Sequence, residues 1–144
     1  VFSKSFESRK SNYLDIKSLT LKEMLTIFDI ISFHCKPPKD GNPIINLLEL
    51  KKMKKNSIII NTARGNLVNE IDLKTALNES IIKGAALDVY SEEPAKNNVL
   101  FGVKNLILTP HIAASTEEAQ LVVAKQIAEQ ISEFFNTGRI SNSV

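Results

Sequence analysis

Cysteine is almost missing from this sequence. Cys35 stands alone, so an internal disulfide is excluded and nothing points to an oxidising compartment. Long apolar runs are missing too. Runs such as Ile58-Ile59-Ile60 fall far short of the roughly 20 residues a membrane helix needs, so no membrane partner is expected. No signal or transit peptide is visible. Neither charge sign dominates: 18 basic against 16 acidic residues leave +2, and the basic residues are not bunched, so no nucleic-acid partner is expected. Glycine is scarce as well, with five residues and none before Gly41.

What is present is an ordinary globular composition, 43% apolar and 24% charged, which can bury a core and excludes disorder or a fibrous repeat. The 144 residues amount to about one domain. The chain opens on Val1 rather than Met, inside a strand-like stretch, so the expectation is a piece without its natural N-terminus.

Strand-like runs alternate with helical patterns. Val1-Phe2 reads as the end of a strand, and Thr20 to Leu25 as a short helix with Thr20 and Glu23 in capping-box positions. Asp29 to His34 is expected as a buried strand, Lys36 to Pro43 as loop, and Leu47 to Met53 as helix. Ser57 to Thr62 has the β-branched, two-faced pattern of a central parallel strand. Asn69 is placed to cap a helix through about Asn78, with Ile71, Leu73, Ala76 and Leu77 as its packing stripe. Gly84 to Val89 and Asn105 to Thr109 read as two more strands. A long amphipathic helix follows from Ser115 to Phe135, with Val122, Ile127, Ile131, Phe134 and Phe135 on its apolar face and Gly138 as its stop. This alternation predicts an α/β fold, a parallel sheet with flanking helices. Ligands of such sheets bind beyond the carboxyl ends of the strands.

Three of those strand ends carry chemistry. Arg64 follows the Ile58 strand, with Gly65 permitting a tight turn, and offers a planar cationic fork suited to a carboxylate. Alone it would read as a surface cation paired with an acid. Asp88 ends the Gly84 strand, ahead of Glu92-Glu93-Pro94, and a buried acid there needs a hydrogen-bonding partner. Alone it would read as a turn cap. His111 follows the Asn105 strand and is the side chain suited to moving a proton near neutral pH, although a lone loop histidine is usually structural or solvated. Together they could bind a small acid and move a proton. His34 reads as an edge-of-core histidine and Cys35 as packing, with no partner for a thiolate nucleophile or a metal site. The lysines of Lys51-Lys52-Met53-Lys54-Lys55 read as a solvated helix end.

Ile59-Ile60-Asn61-Thr62-Ala63-Arg64-Gly65, Gly84-Ala85-Ala86-Leu87-Asp88-Val89-Tyr90-Ser91-Glu92-Glu93-Pro94 and Leu108-Thr109-Pro110-His111-Ile112-Ala113 occur in that order. This succession resembles the nicotinamide-cofactor domain of the D-isomer-specific 2-hydroxyacid dehydrogenases, the phosphoglycerate dehydrogenase-like family, along essentially the whole chain. The resemblance implies a Rossmann-like parallel sheet, N-terminally truncated. Residues 1–115 would be part of the dinucleotide-binding domain, and residues 116–144 a helix and tail leading back toward the substrate domain. It implies an NAD(P)-dependent oxidoreductase moving a hydride between the cofactor and a small 2-hydroxy or 2-keto acid. Arg64, Glu93 and His111 would be catalytic: Arg64 on the substrate carboxylate, His111 as acid and base, and Glu93 keeping His111 protonated over a wider pH range. Cys35, Thr62, Ala63, Arg64, Asp88, His111, Ala113 and Ala114 would line the cofactor pocket. A cytoplasmic homodimer with no metal is the matching expectation.

The departures are informative. The glycine fingerprint G-x-G-x-x-G, which sets the pyrophosphate on a helix N-terminus, is missing from these residues and is expected upstream, with most of the substrate domain. Lys4 or Ser5 stands near the place where NAD-preferring members carry an acid, with Arg9 and Lys10 following, which makes NADP the alternative to NAD. Lys36 occupies a position where the family often has proline. Two functional alternatives remain at this level: a cofactor-binding, corepressor-like protein of the same fold without turnover, and an inactive fragment.

Overall fold

The computed structural model describes residues 16–142, and the strand expected at Val1-Phe2 lies outside them. The described residues fall into two compact units, one running through Pro110 and the other from His111 onward.

The first element among the described residues of this unit is helix α1 (Leu21–Ile27), held at its start by the capping box expected from the sequence. Glu23 N–H donates to Thr20 Oγ1 at 3.2 Å, and Thr20 N–H donates back to the Glu23 carboxylate at 2.7 Å. Strand β1 (Ile30–Phe33) leads through a loop to helix α2 (Leu47–Leu50), then strand β2 (Ile58–Asn61), helix α3 (Glu70–Asn78), strand β3 (Gly84–Leu87) and strand β4 (Leu106–Leu108). The four strands stand side by side in chain order, and every neighbouring pair is parallel. All four carboxyl ends therefore share one edge.

The core packs where the β-branched and leucine positions fall: Ile31 and Phe33 from β1, Ile59 from β2, Leu50 from α2, and Leu73, Ala76 and Leu77 from α3. Asn69 accepts hydrogen bonds from the Ile71 and Asp72 N–H groups, both at 3.1 Å, and satisfies two donors that the first turn of α3 would otherwise leave unpaired. Asn69→Ala is therefore expected to lower stability by about 1 kcal/mol, read as a fall in the urea midpoint at unchanged m-value. An unchanged midpoint would show that water replaces the cap without cost.

Several expectations are corrected. β1 is a half-buried strand, since Ile31 and Phe33 face the core while Ile30 and Ser32 are exposed. Ile71 leaves the α3 stripe and is exposed, because it sits in the first turn on the side away from the buried Leu73. α2 is a single turn rather than a helix to Met53. The lysines around Met53 are solvated as expected. Lys52 reaches Glu49 at 2.9 Å and Lys54 reaches Asp29 at 3.0 Å, exposed pairs that contribute little.

The second unit is dominated by helix α4 (Glu117–Thr137). Thr116 caps it by accepting from Ala119 N–H at 3.2 Å, and Gly138 closes it in the left-handed conformation with φ of 72°. The apolar face predicted from the sequence is present but exposed at Val122, Ile127, Ile131, Phe134 and Phe135. No helix among the described residues is long and apolar enough to cross a membrane.

Candidate active site

The carboxyl edge of the first unit gathers most of the residues singled out from the sequence. Thr62, Ala63 and Arg64 follow β2, Asp88 and Glu93 follow β3, and Cys35 follows β1. His111, Ala113 and Ala114 belong to the second unit, just beyond β4.

The turn bearing Arg64 is built by Asn61, the last residue of β2, which is buried at 1% exposure. Asn61 Oδ1 accepts from Ala63 N–H at 3.1 Å, and its Nδ2 donates to the Arg64 carbonyl at 2.9 Å. The amide thus replaces the ladder partners lost where the strand ends. Arg64 itself is exposed, with Nη1 donating to the Ala63 carbonyl at 2.6 Å. Gly65 serves a purpose other than the one expected. Its φ is not positive, so the backbone does not demand glycine. The space does. A Cβ there would lie closer than 3.0 Å to the Tyr90 carbonyl carbon and oxygen and to Ser91 N.

Asp88 is buried at 3% exposure and accepts a hydrogen bond from the Thr109 hydroxyl, which supplies the partner that a buried carboxylate needs. The Tyr90 hydroxyl donates to the Thr109 carbonyl at 2.8 Å, fixing the end of β4 to the segment after β3. Burial, and then the nearby Asp88, Glu70 and Glu93 carboxylates, push the Tyr90 phenol up, so it keeps the proton it donates. Glu93 is exposed and accepts from Tyr90 N–H at 2.9 Å. It lines a cavity of about 820 Å³ with Glu70, Ser91, Asn98 and Asn66.

His111 is exposed and has φ of 56°, in the left-handed region that a residue with a Cβ seldom adopts. Two expectations fail at the end of β1. His34 is exposed rather than at the core edge, its Nε2 2.8 Å from the Ser32 hydroxyl. Cys35 is exposed rather than packed, because β1 ends two residues earlier at Phe33. Partial desolvation still pushes the Cys35 thiol up, which disfavours the thiolate. No group of His, Cys, Asp and Glu among the described residues is arranged to hold a metal ion.

Sequence reasoning missed three contributors. Asn61 was read only as part of a motif. Glu70 and Asn98 were not singled out, and the hydrogen bond between them spans 28 residues, beyond any local pattern.

Among the described residues, four parallel strands with flanking helices form a Rossmann-type sheet, the class whose ligands sit beyond the carboxyl edge. Residues 2–113 match the sequence model of the D-isomer specific 2-hydroxyacid dehydrogenase, NAD binding domain, and the chain belongs to that family. It is 37% identical over 134 residues to D-3-phosphoglycerate dehydrogenase of Bacillus subtilis, an alignment covering 93% of this chain and 26% of the relative. It is 43% identical to glyoxylate reductase of Thermococcus litoralis, covering 86% of this chain and 36% of the relative. Among solved structures, an acyclic imino acid reductase in complex with NADPH and D-Arg superposes with a TM-score of 0.81 at 32% identity, over 94% of this chain and 42% of that one. The chain thus spans about a quarter to two-fifths of the length of these proteins.

Proposed function

We propose that the protein carrying this sequence reduces a small 2-keto acid to the D-2-hydroxy acid, and runs the reverse oxidation, with a nicotinamide cofactor. The observation that carries this reading is the contact between the Arg64–Gly65 turn and the Tyr90–Ser91 peptide at the carboxyl edge of the sheet, in a chain of this family. That contact sets a cation suited to a carboxylate beside the segment bearing Glu93.

The residues at the edge suit the cofactor. Thr62 is exposed, Ala63 is small and half-buried, and Asp88 is an acceptor of the kind a carboxamide N–H needs. With Cys35, Arg64, His111, Ala113 and Ala114 they would line its pocket. NAD is the cofactor the matched domain is named for, and NADP is the alternative raised by Lys4, Arg9 and Lys10. When bound, the reduced cofactor supplies the hydride. The rest of the chemistry falls to the protein. Arg64 pairs with the substrate carboxylate and orients the carbonyl. His111 donates a proton to the carbonyl oxygen as the carbon gains the hydride, giving the hydroxyl, and takes that proton back in oxidation. Glu93 supports His111 in this exchange.

A reduced cytoplasmic setting suits a chain whose one cysteine is an exposed thiol. The exposed apolar residues of α4 support a homodimer, for which sedimentation would give twice the monomer mass.

Arg64→Lys tests the carboxylate assignment. Lysine keeps the charge but loses the planar fork, so KM for the 2-keto acid should rise about tenfold to a hundredfold. The change in NADH dissociation constant should be smaller. An unchanged KM would remove Arg64 from the substrate site.

A further inference from the structure

Glu70 opens helix α3, where an acidic side chain ordinarily serves only the helix dipole. Here both of its oxygens are committed elsewhere. Oε1 accepts from Ser91 N–H at 2.7 Å, and Oε2 accepts from Asn98 Nδ2 at 2.8 Å. Asn98 in turn accepts from the N–H of Leu100, a fully buried residue, at 2.9 Å. The carboxylate therefore ties the segment after β3 at two points, Ser91 near its start and Asn98 near its middle, and fastens it to a helix anchored in the core.

The peptide it grips is the one that matters for the site. Ser91 N belongs to the Tyr90–Ser91 peptide, whose carbonyl and nitrogen lie directly against Gly65. Arg64 precedes Gly65. The flanking Tyr90 N–H donates to the Glu93 carboxylate. Two adjoining peptides thus carry the two turns, Val89–Tyr90 holding Glu93 and Tyr90–Ser91 lying against Gly65, and Glu70 fixes the second of them from α3.

We infer that Glu70 is a positioning residue that sets the placement of Glu93 relative to Arg64 by clamping the Tyr90–Ser91 peptide. This rests on the reading above, in which Arg64 and Glu93 serve the 2-keto acid. Glu70 touches neither substrate nor cofactor in this account. Its effect runs through the peptide.

The test uses Glu70→Ala and Glu70→Gln in the protein carrying this sequence. It reads Ser91 amide exchange by NMR together with KM and kcat for 2-keto acid reduction. Alanine removes both acceptors. Ser91 exchange should then quicken about tenfold or more, as local opening of the segment becomes easier. KM should rise and kcat fall by about tenfold each, since a small misplacement of a positioned group is costly. Glutamine keeps an acceptor for Ser91 and loses the one for Asn98, so each value should fall between wild type and alanine. This variant keeps the inference testable if alanine does not fold. Unchanged Ser91 exchange in Glu70→Ala would overturn the clamp. Faster exchange with unchanged kinetics, beside an Arg64→Lys variant that does raise KM, would overturn the positioning role alone. A silent Arg64→Lys would bring down the site reading, and the inference with it.

Discussion

Replacing His111 by Gln should lower kcat for 2-keto acid reduction by about 10² to 10⁴-fold, the range expected for loss of a general acid. Glutamine fills a similar space and can donate a hydrogen bond, but it cannot give up a proton, so the variant separates proton transfer from simple contact. NADH affinity should change far less than kcat. The backbone supports the choice of residue. His111 is held at φ of 56°, a conformation that costs about 1–3 kcal/mol in a residue with a Cβ and persists where surrounding structure enforces it. The other described residues of this kind without glycine are Ser80, Asn105 and Asn142, and asparagine tolerates the region through its short polar side chain. Single-turnover measurements with saturating cofactor would read the chemical step directly. A His111→Gln enzyme with near-normal kcat would end its role as proton donor.

The second large effect is structural. Gly65→Ala should destabilise the fold by about 1–3 kcal/mol, the usual range for forcing extra volume into a packed site. The clash is with backbone atoms of Tyr90 and Ser91, which cannot swing aside as the tip of a flexible side chain can. Relief requires the two turns to part, and parting them separates Arg64 from Glu93. The loss of activity should therefore exceed what the fall in folded fraction explains. Thermal unfolding and kcat/KM, measured on the same sample well below Tm, test both halves. A variant with unaltered Tm and kcat/KM would show that the close approach is not maintained in solution.

These two residues also illustrate how far the sequence could be read. The strand at Ile58–Asn61 and the caps at Thr20, Asn69 and Gly138 were legible because each rests on a short-range rule: β-branched runs, a side-chain acceptor ahead of a helix, or a left-handed residue after one. Helix α4 was legible in extent, but its apolar face gave no guide to burial, because periodicity identifies a face and not its partner. Ile71 misled for the same reason. The need for Gly65 was noticed, but its cause was assigned to the turn, since crowding against a segment 25 residues away leaves no local trace. Cys35 was read as packing but is exposed, because β1 ends two residues before it and the sequence carries no mark of how the following loop leaves the core. Glu70 and Asn98 went unnoticed because their meaning lies wholly in a contact made after folding.

The family places the chain among D-isomer specific 2-hydroxyacid dehydrogenases, and the handedness of the product is the most direct test of the proposed activity. The measurement is chiral analysis of the hydroxy acid formed from hydroxypyruvate and from pyruvate, with NADH and then NADPH, alongside cofactor consumption. The account predicts the D-enantiomer, formed in step with oxidation of one of the two cofactors. Formation of the L-enantiomer, or bound cofactor with no turnover of either acid, would contradict it.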